Sequence, residues 1–147
     1  MIRLAESSDV AAISALEVAC FGDDAWSEAL VRAEVESEHR TVLVDEHADD
    51  LQAYGSIHLL GDLADLERIA VVPSTRRQGL AAALLTALIQ QAREMGAVRM
   101  LLEVADDNTA AVGLYESFGF RTISRRRGYY AGGADALVME QEIEEAR

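Results

Sequence analysis

At 147 residues, half of them hydrophobic and only one a proline, the chain is long enough for a single domain with a proper core and unlike a disordered sequence. Basic residues number 13 and acidic ones 26, a formal charge of −13 that should repel a nucleic-acid backbone and, beyond serving solubility, can attract a basic partner such as a cationic peptide. No apolar run approaches the ~18–20 residues of a membrane span, the start "MIRLAESSD" lacks a signal peptide's apolar stretch, and the lone Cys20 cannot close an intramolecular disulfide, so a cytoplasmic location without membrane contact is expected.

In chain order, "MIRLA" reads as a short first strand. Ser8 or Asp9 can cap a helix through "VAAISALEVACF", where Val10, Ile13, Leu16 and Ala19 or Cys20 recur at helical spacing. "GDDAW" is a loop, and Ser27 starts a second helix, "EALVRAEVES", with Glu28 in its favourable first turn. The period then shortens: "TVLVDE", "DLQAYGSIHLL" and "ADLERIAVV" are strands, the first two forming a hairpin around "HADD" and the last two split by Gly61 and Asp62. Pro73 ends the third of them, Gly79 opens the helix "LAAALLTALIQQAREM", and Gly96 closes it. "VRMLLEV", flanked by helical segments, is expected to be a parallel strand buried on both faces. "NTAAVGLYESF" is a helix capped by Asn108 and stopped by Gly119. "FRTISRRRGYY" and "ADALVMEQEI" make a closing hairpin with Leu137, Met139 and Ile143 on one face. The order β-α-α-β-β-β-α-β-α-β-β describes one α/β (α+β) domain over residues 1–147, built on a mixed, mostly antiparallel central sheet.

The stretch "RRQGLAAALL" places two arginines, a glutamine and a glycine where a strand hands over to a long helix. The first turn of a helix leaves backbone N–H groups unpaired, and the macrodipole adds positive potential there. Gly79 lacks a Cβ, so an anion can approach closely, and Arg76 and Arg77 add charge that does not titrate. The pattern suits a pyrophosphate, yet neither the Walker form nor the dinucleotide Gly-x-Gly-x-x-Gly is present.

"RRQGLA", on a helix after a strand ending "IAVVP", resembles the acyl-CoA signature Arg/Gln-x-x-Gly-x-Gly/Ala of the GCN5-related N-acetyltransferase (GNAT) family, and the element order is similar to that fold from end to end. The resemblance implies acetyl-CoA as the acyl donor, no metal, and backbone N–H groups of Arg77, Gln78, Gly79, Leu80, Ala81 and Ala82 around its pyrophosphate. Ala81 stands where the motif ends in glycine or alanine. The family splays two neighbouring strands apart, so Ile69, Ala70 and Val71 of "ERIAVV" would pair their backbone with the pantetheine arm like an added strand. A plain core strand is the alternative, and the two are compatible. Asn108 reads as a helix cap and, by resemblance, as a cofactor contact.

Acetylating an amine needs an uncharged nitrogen, a held thioester and a proton for the leaving thiolate. Glu103, near the end of a strand expected to be covered on both faces, would have its pKa raised by partial burial, which suits a general base. The alternative is a rim glutamate paired with an arginine such as Arg99. Tyr115 lies in "LYESFGF", which resembles the family segment whose tyrosine points at the thiolate, and its phenol would be the general acid. A core-facing aromatic is the alternative there. "CFGDDAWS", "LEVADDNTAAVGLYESFGF" and "RRRGYY" together resemble family members that acetylate the N-terminal alanine of a small-subunit ribosomal protein. That implies a basic protein or peptide N-terminus as partner, with Trp26, Tyr129 and Tyr130 lining its groove; core or hairpin packing is the other reading of these aromatics. Gly128 and the glycine-rich "AGGADAL" depart from the family pattern on that wall.

An α-amino group titrates near ~7.7–8.0 and a lysine near ~10.4, so at neutral pH roughly a tenth or more of N-termini are uncharged against well under one in a thousand lysines. A modest carboxylate base therefore suits an N-terminus better. The other readings are acetylation of a lysine or a small amine, a non-catalytic acyl-CoA-binding module, which the presence of both Glu103 and Tyr115 argues against, and a tRNA-directed enzyme, which the acidic charge argues against. His39, His47 and His58 show no metal-ligand spacing, and Cys20 reads as a packed thiol.

Overall fold

The computed structural model describes residues 1–76 and 78–143. Its elements follow the predicted order: β1 (Ile2–Leu4), α1 (Val10–Phe21), α2 (Glu28–Glu36), β2 (Arg40–His47), β3 (Asp50–Leu60), β4 (Leu63–Val71), α3 (Leu80–Glu94), β5 (Arg99–Ala105), α4 (Thr109–Ser117), β6 (Arg121–Arg126) and β7 (Ala136–Glu142). The seven strands are hydrogen-bonded in the order β1-β2-β3-β4-β5-β7-β6. The β4–β5 pair is parallel, while β1–β2, β2–β3, β5–β7 and β6–β7 are antiparallel. This is the mixed, mostly antiparallel sheet expected from the sequence. No helix among the described residues is long and apolar enough to cross a membrane. The chain divides into two compact units, residues 1–58 with 67–91 and residues 59–66 with 92–147.

In the first unit, β2 and β3 pair from Arg40↔His58 to His47↔Asp50, closed by Ala48 and Asp49 in the predicted "HADD" turn. The apolar stripe of α1 (Val10, Ile13, Leu16) and Val31 of α2 bury against Val42, Val44, Tyr54 and Ala70. Gly55 is required here: a Cβ on it would come within 2.7 Å of Leu88 Cδ1 and 3.2 Å of the Arg68 carbonyl, so α3 packs directly on the backbone of β3. Ser27 caps α2 as expected, its Oγ accepting the Leu30 N–H at 3.1 Å.

The start of α1 differs from expectation. Neither Ser8 nor Asp9 caps it; Ser7–Asp9 form a short 3-10 turn, and Asp9 at the helix boundary makes no side-chain cap bond. Its carboxylate turns back to accept the Glu6 N–H at 2.7 Å and the Arg3 guanidinium at 2.8 and 2.9 Å. A guanidinium fork is a stronger partner than a neutral amide, and it holds Asp9 below the usual carboxylate range. Ala19 is exposed, and the fully buried position on that turn belongs to Glu17.

In the second unit, β5 pairs in parallel with the first half of β4, from Leu63↔Arg99 to Leu66↔Leu102, and antiparallel with β7 from Arg99↔Glu142 to Ala105↔Ala136. The last strand thus inserts between β5 and β6. The expected burial of β5 on both faces does not hold: Met100, Leu102 and Val104 are buried, whereas Arg99 and Glu103 are exposed. The strand reads as a period of two: one apolar face is buried, and the other carries Arg99, part-buried Leu101 and Glu103. Leu137, Met139 and Ile143 are buried as expected. Asn108 caps α4 through a 3.3 Å bond from the Ala111 N–H to its Oδ1, and Tyr115 meets Phe120 edge-on at 5.8 Å between ring centroids. The edge strand β6 is exposed along its whole length.

Candidate active site

The first unit carries the strand-to-helix turn. The parallel ladder of β4 ends at Leu66↔Leu102 although the strand continues to Val71, so Ile69, Ala70 and Val71 lie beyond it. Ala70 and Val71 are buried, and Ala70 belongs to the core, so the side chains pack while the backbone runs past the end of that ladder. One carbonyl is already engaged: Val71 accepts the Cys20 thiol at 3.3 Å. Cys20 is half-buried and held by this contact, consistent with a packed thiol.

After Pro73–Thr75 the chain reaches exposed Gln78 and Gly79. Arg77 lies outside the described residues. Gly79 has φ +80°, the left-handed region, and no heavy atom lies within 4 Å of where its Cβ would be. Its carbonyl accepts the Ala83 N–H at 3.0 Å, which closes the first turn of α3. The N–H groups of Leu80, Ala81 and Ala82 therefore precede the first donor that finds a carbonyl within the helix. An open, Cβ-free approach at the N-terminus of a 15-residue helix fits a pyrophosphate.

The second unit carries the titratable groups. Glu103 projects from the polar face of β5, its side chain 38% exposed, and its Oε1 accepts from Arg126 Nη1 at 2.9 Å. The carboxylate is thus only partly buried and stands at the rim on an arginine, as the alternative reading had it, but the arginine is not Arg99, which pairs with Glu140 at 3.0 Å. The cause is register, since β7 lies beside β5 and β6 beside β7, so the arginine that reaches Glu103 comes from β6. Tyr115 on α4 is 6% exposed, and its phenol is pushed up to about 12, by burial first and by the nearby Tyr130 second. Tyr130 is itself raised by burial, with Glu103 and Tyr129 adding to the effect. Glu103, Tyr130 and Tyr115 thus lie within each other's fields in sequence. Tyr129 is half-exposed, edge-on to Tyr130 at 5.2 Å, and the Arg126 guanidinium lies 4.4 Å over its ring. Asn108 has its Oδ1 committed to the α4 cap.

Anchoring holds the turn after β6. Arg125 reaches Asp106 and Asp135 at 2.9 Å each, and Asp135 also accepts the Gly128 N–H at 2.8 Å. That backbone bond and Arg125 keep Asp135 below the usual carboxylate range.

Trp26 sits in the first unit within a cluster that the sequence reading missed. Glu17, 0% exposed, accepts the Trp26 N–H at 2.8 Å, Arg68 Nη2 at 2.9 Å, Arg68 Nε at 3.1 Å, and the Tyr54 hydroxyl. Arg68 also donates to the Asp24 carbonyl at 2.9 Å and lies over the rings of Phe21 at 3.9 Å and Trp26 at 4.7 Å. Burial and then the Glu17 carboxylate push Tyr54 well above its ordinary range. The signal was present: Glu17 falls four residues after Ile13 and three before Cys20, on the apolar stripe of α1, where a glutamate must find partners. A second acidic pair shares Arg40, whose Nε lies 2.9 Å from Glu34 and 3.1 Å from Glu67; Glu34 also accepts from Ser56 at 2.9 Å. Burial and then the Glu34 charge push Glu67 up to about 7.

Among the described residues no group of three His, Cys, Asp or Glu side chains could hold a metal ion.

The acetyltransferase (GNAT) family model matches residues 10–120. The ribosomal protein bS18-alanine N-acetyltransferase of Escherichia coli is 41% identical over 96 residues, 63% of this chain and 65% of that protein, so the match spans just under two-thirds of that relative's length. The N-alpha-acetyltransferase RimI of Mycobacterium tuberculosis is 36% identical over 141 residues, 92% of this chain and 87% of that protein. Among solved structures, the ribosomal-protein-S18-alanine N-acetyltransferase from Escherichia coli matches with a TM-score of 0.92 and 33% identity, over 100% of this chain and 96% of that one. A Salmonella typhimurium structure with its cofactor acetyl-CoA shares the fold at a TM-score of 0.85 and 23% identity, over 100% of this chain and 95% of that one.

Proposed function

The chain belongs to the GNAT acetyltransferase family, and from that premise we propose that it transfers an acetyl group from acetyl-CoA to the α-amine of a protein N-terminus, the N-terminal alanine of a small-subunit ribosomal protein being the favoured substrate. The observation that supports the reading is that one compact unit holds both a solvent-reachable carboxylate, Glu103, and a buried phenol, Tyr115, with Tyr130 electrostatically coupled to each. When bound, acetyl-CoA supplies a thioester carbon activated for attack. Glu103 takes the proton the amine sheds as its nitrogen bonds to that carbon, and Tyr115 gives its proton to the sulfur as the C–S bond breaks. Tyr115 suits the second role because burial keeps its proton in place across the neutral range.

The cofactor-holding role falls to the backbone of Gln78, Gly79, Leu80, Ala81 and Ala82 for the pyrophosphate, with Arg77 beside them, and to Ile69 and Ala70 for the pantetheine arm. Val71 contributes through its N–H, since its carbonyl holds Cys20. Asn108 contributes through its amide nitrogen, since its oxygen caps α4. Trp26, Tyr129 and Tyr130 contact the peptide, and the net charge of −13 steers a basic tail toward the protein.

The test is a peptide with a free N-terminal alanine and one internal lysine, incubated with the protein and acetyl-CoA and read by mass spectrometry. Acetate on the α-amine is expected. Acetate on the lysine alone overturns the N-terminal assignment, and acetyl-CoA binding without transfer to either amine overturns the protein-substrate reading in favour of a different amine or a non-catalytic acyl-CoA-binding module.

A further inference from the structure

Two neighbouring arginines of β6 are used differently. Arg125 has two carboxylates, Asp106 and Asp135, and serves the turn. Arg126 has one carboxylate partner among the described residues, Glu103, and its guanidinium is held from the other side by the ring of Tyr129. Stacking on an aromatic ring and donating to a carboxylate use the face and the edge of one planar group, so both can be satisfied at once. Two contacts thus place this cation at the carboxylate.

We propose that Arg126 is a specificity-determining residue: it keeps a permanent positive charge at Glu103, so that the amine reaching this carboxylate must arrive uncharged. The inference rests on the reading of Glu103 as the base. A guanidinium does not lose its proton at any working pH. With Arg126 at 2.9 Å, the charge of Glu103 is already answered. A protonated amine brings a second cation next to the first, and among the described residues no further carboxylate on Arg126 offsets that repulsion, which solvent at this exposed pair moderates. A neutral amine meets no such penalty and still finds Glu103 Oε2, which accepts no hydrogen bond from Arg126, to receive its proton. The pair therefore filters by charge: an α-amine is neutral often enough at pH 7, and a lysine almost never. Without the resident cation, Glu103 would draw lysine ammonium groups to the site, raising the local share of lysine and with it the lysine product.

The experiment uses the full chain, acetyl-CoA and the two-amine peptide, and reads the ratio of α-acetylated to lysine-acetylated product in wild type, R126Q and R126K. A residue that only held the strand together would slow both reactions alike and leave the ratio in place. The expected result is a fall of about tenfold in the ratio for R126Q, with R126K keeping it within about threefold because its charge remains. Arg126 is exposed on an exposed strand, so both variants should fold, which thermal melts check. An unchanged ratio in R126Q, with transfer intact, overturns the role of Arg126 alone. An equal fall in R126K overturns the charge argument. Absence of transfer to either amine in wild type overturns this inference together with the functional reading beneath it.

Discussion

Glu17 and Glu103 are both glutamates bonded to an arginine, and the two pairs teach opposite lessons. In the first unit Glu17 is sealed from solvent, and its two oxygens take four donors, from Trp26, Tyr54 and twice from Arg68. No lone pair is left for a reactant, and removing any donor would leave a buried charge short of partners. In the second unit Glu103 is partly exposed and, among the described residues, takes one guanidinium, on Oε1 alone. The same two residue types give a structural clamp where water is excluded and a chemically available carboxylate where it is not. The exposed pair contributes little to stability, so its placement is free to serve reactivity.

The sharpest way to break the contrast is Glu17→Ala. It should cost about 3–5 kcal/mol of stability, because Arg68 would remain partly buried without its counter-charge. Denaturant melts check this, and a loss below about 1 kcal/mol would show the clamp to be dispensable. Glu103→Gln is the mirror experiment: turnover should fall about a hundredfold or more while the melting temperature and acetyl-CoA affinity hold. Unchanged turnover removes Glu103 as base. Tyr115→Phe should cost about tenfold or more in turnover with the core intact, since only a hydroxyl is lost from a buried ring. Steady-state rates at saturating acetyl-CoA decide it, and wild-type rates would remove Tyr115 as acid.

The smallest expected effect concerns Glu67, which stands between the two extremes: half-buried, on a shared arginine, beside a second carboxylate. Its pKa is raised from 4.5 to about 7 by burial and then by Glu34. A carboxyl whose folded pKa is raised favours the folded state below its unfolded pKa and loses that contribution as pH climbs through the folded one. Glu67→Gln should therefore gain in melting temperature relative to wild type as pH rises across the window from 4.5 to about 7. A difference that stays flat across that window would mean Arg40 answers both charges fully.

Much of the protein could be read from local pattern. Strands, helices and their order follow from apolar periodicity and from turn chemistry at Ser27, Asn108 and Gly79, and these depend on neighbours within a few residues. The phosphate-type turn was legible for the same reason: Gly79 and the donors after it are contiguous. Asp9 was misread as a helix cap because Arg3, six residues away on another element, outcompetes the helix amides for its carboxylate.

What depended on register was not legible. Leu66↔Leu102 ends the β4–β5 ladder, and β7 inserts between β5 and β6, so Arg126 and not Arg99 reaches Glu103. Glu17 looked like one acidic residue among 26, because Arg68 and Tyr54 are 51 and 37 positions away. The sequence by itself determined which segments become helix or strand and that Gly79 opens α3, since backbone preference and periodicity act over a few residues. Only the tertiary structure decided which charges meet, because an ion pair depends on distances of a few ångströms between residues far apart along the chain. It is that pairing, and not the residue type, that seals Glu17 behind four donors and leaves Glu103 at a solvent-reachable rim with one guanidinium.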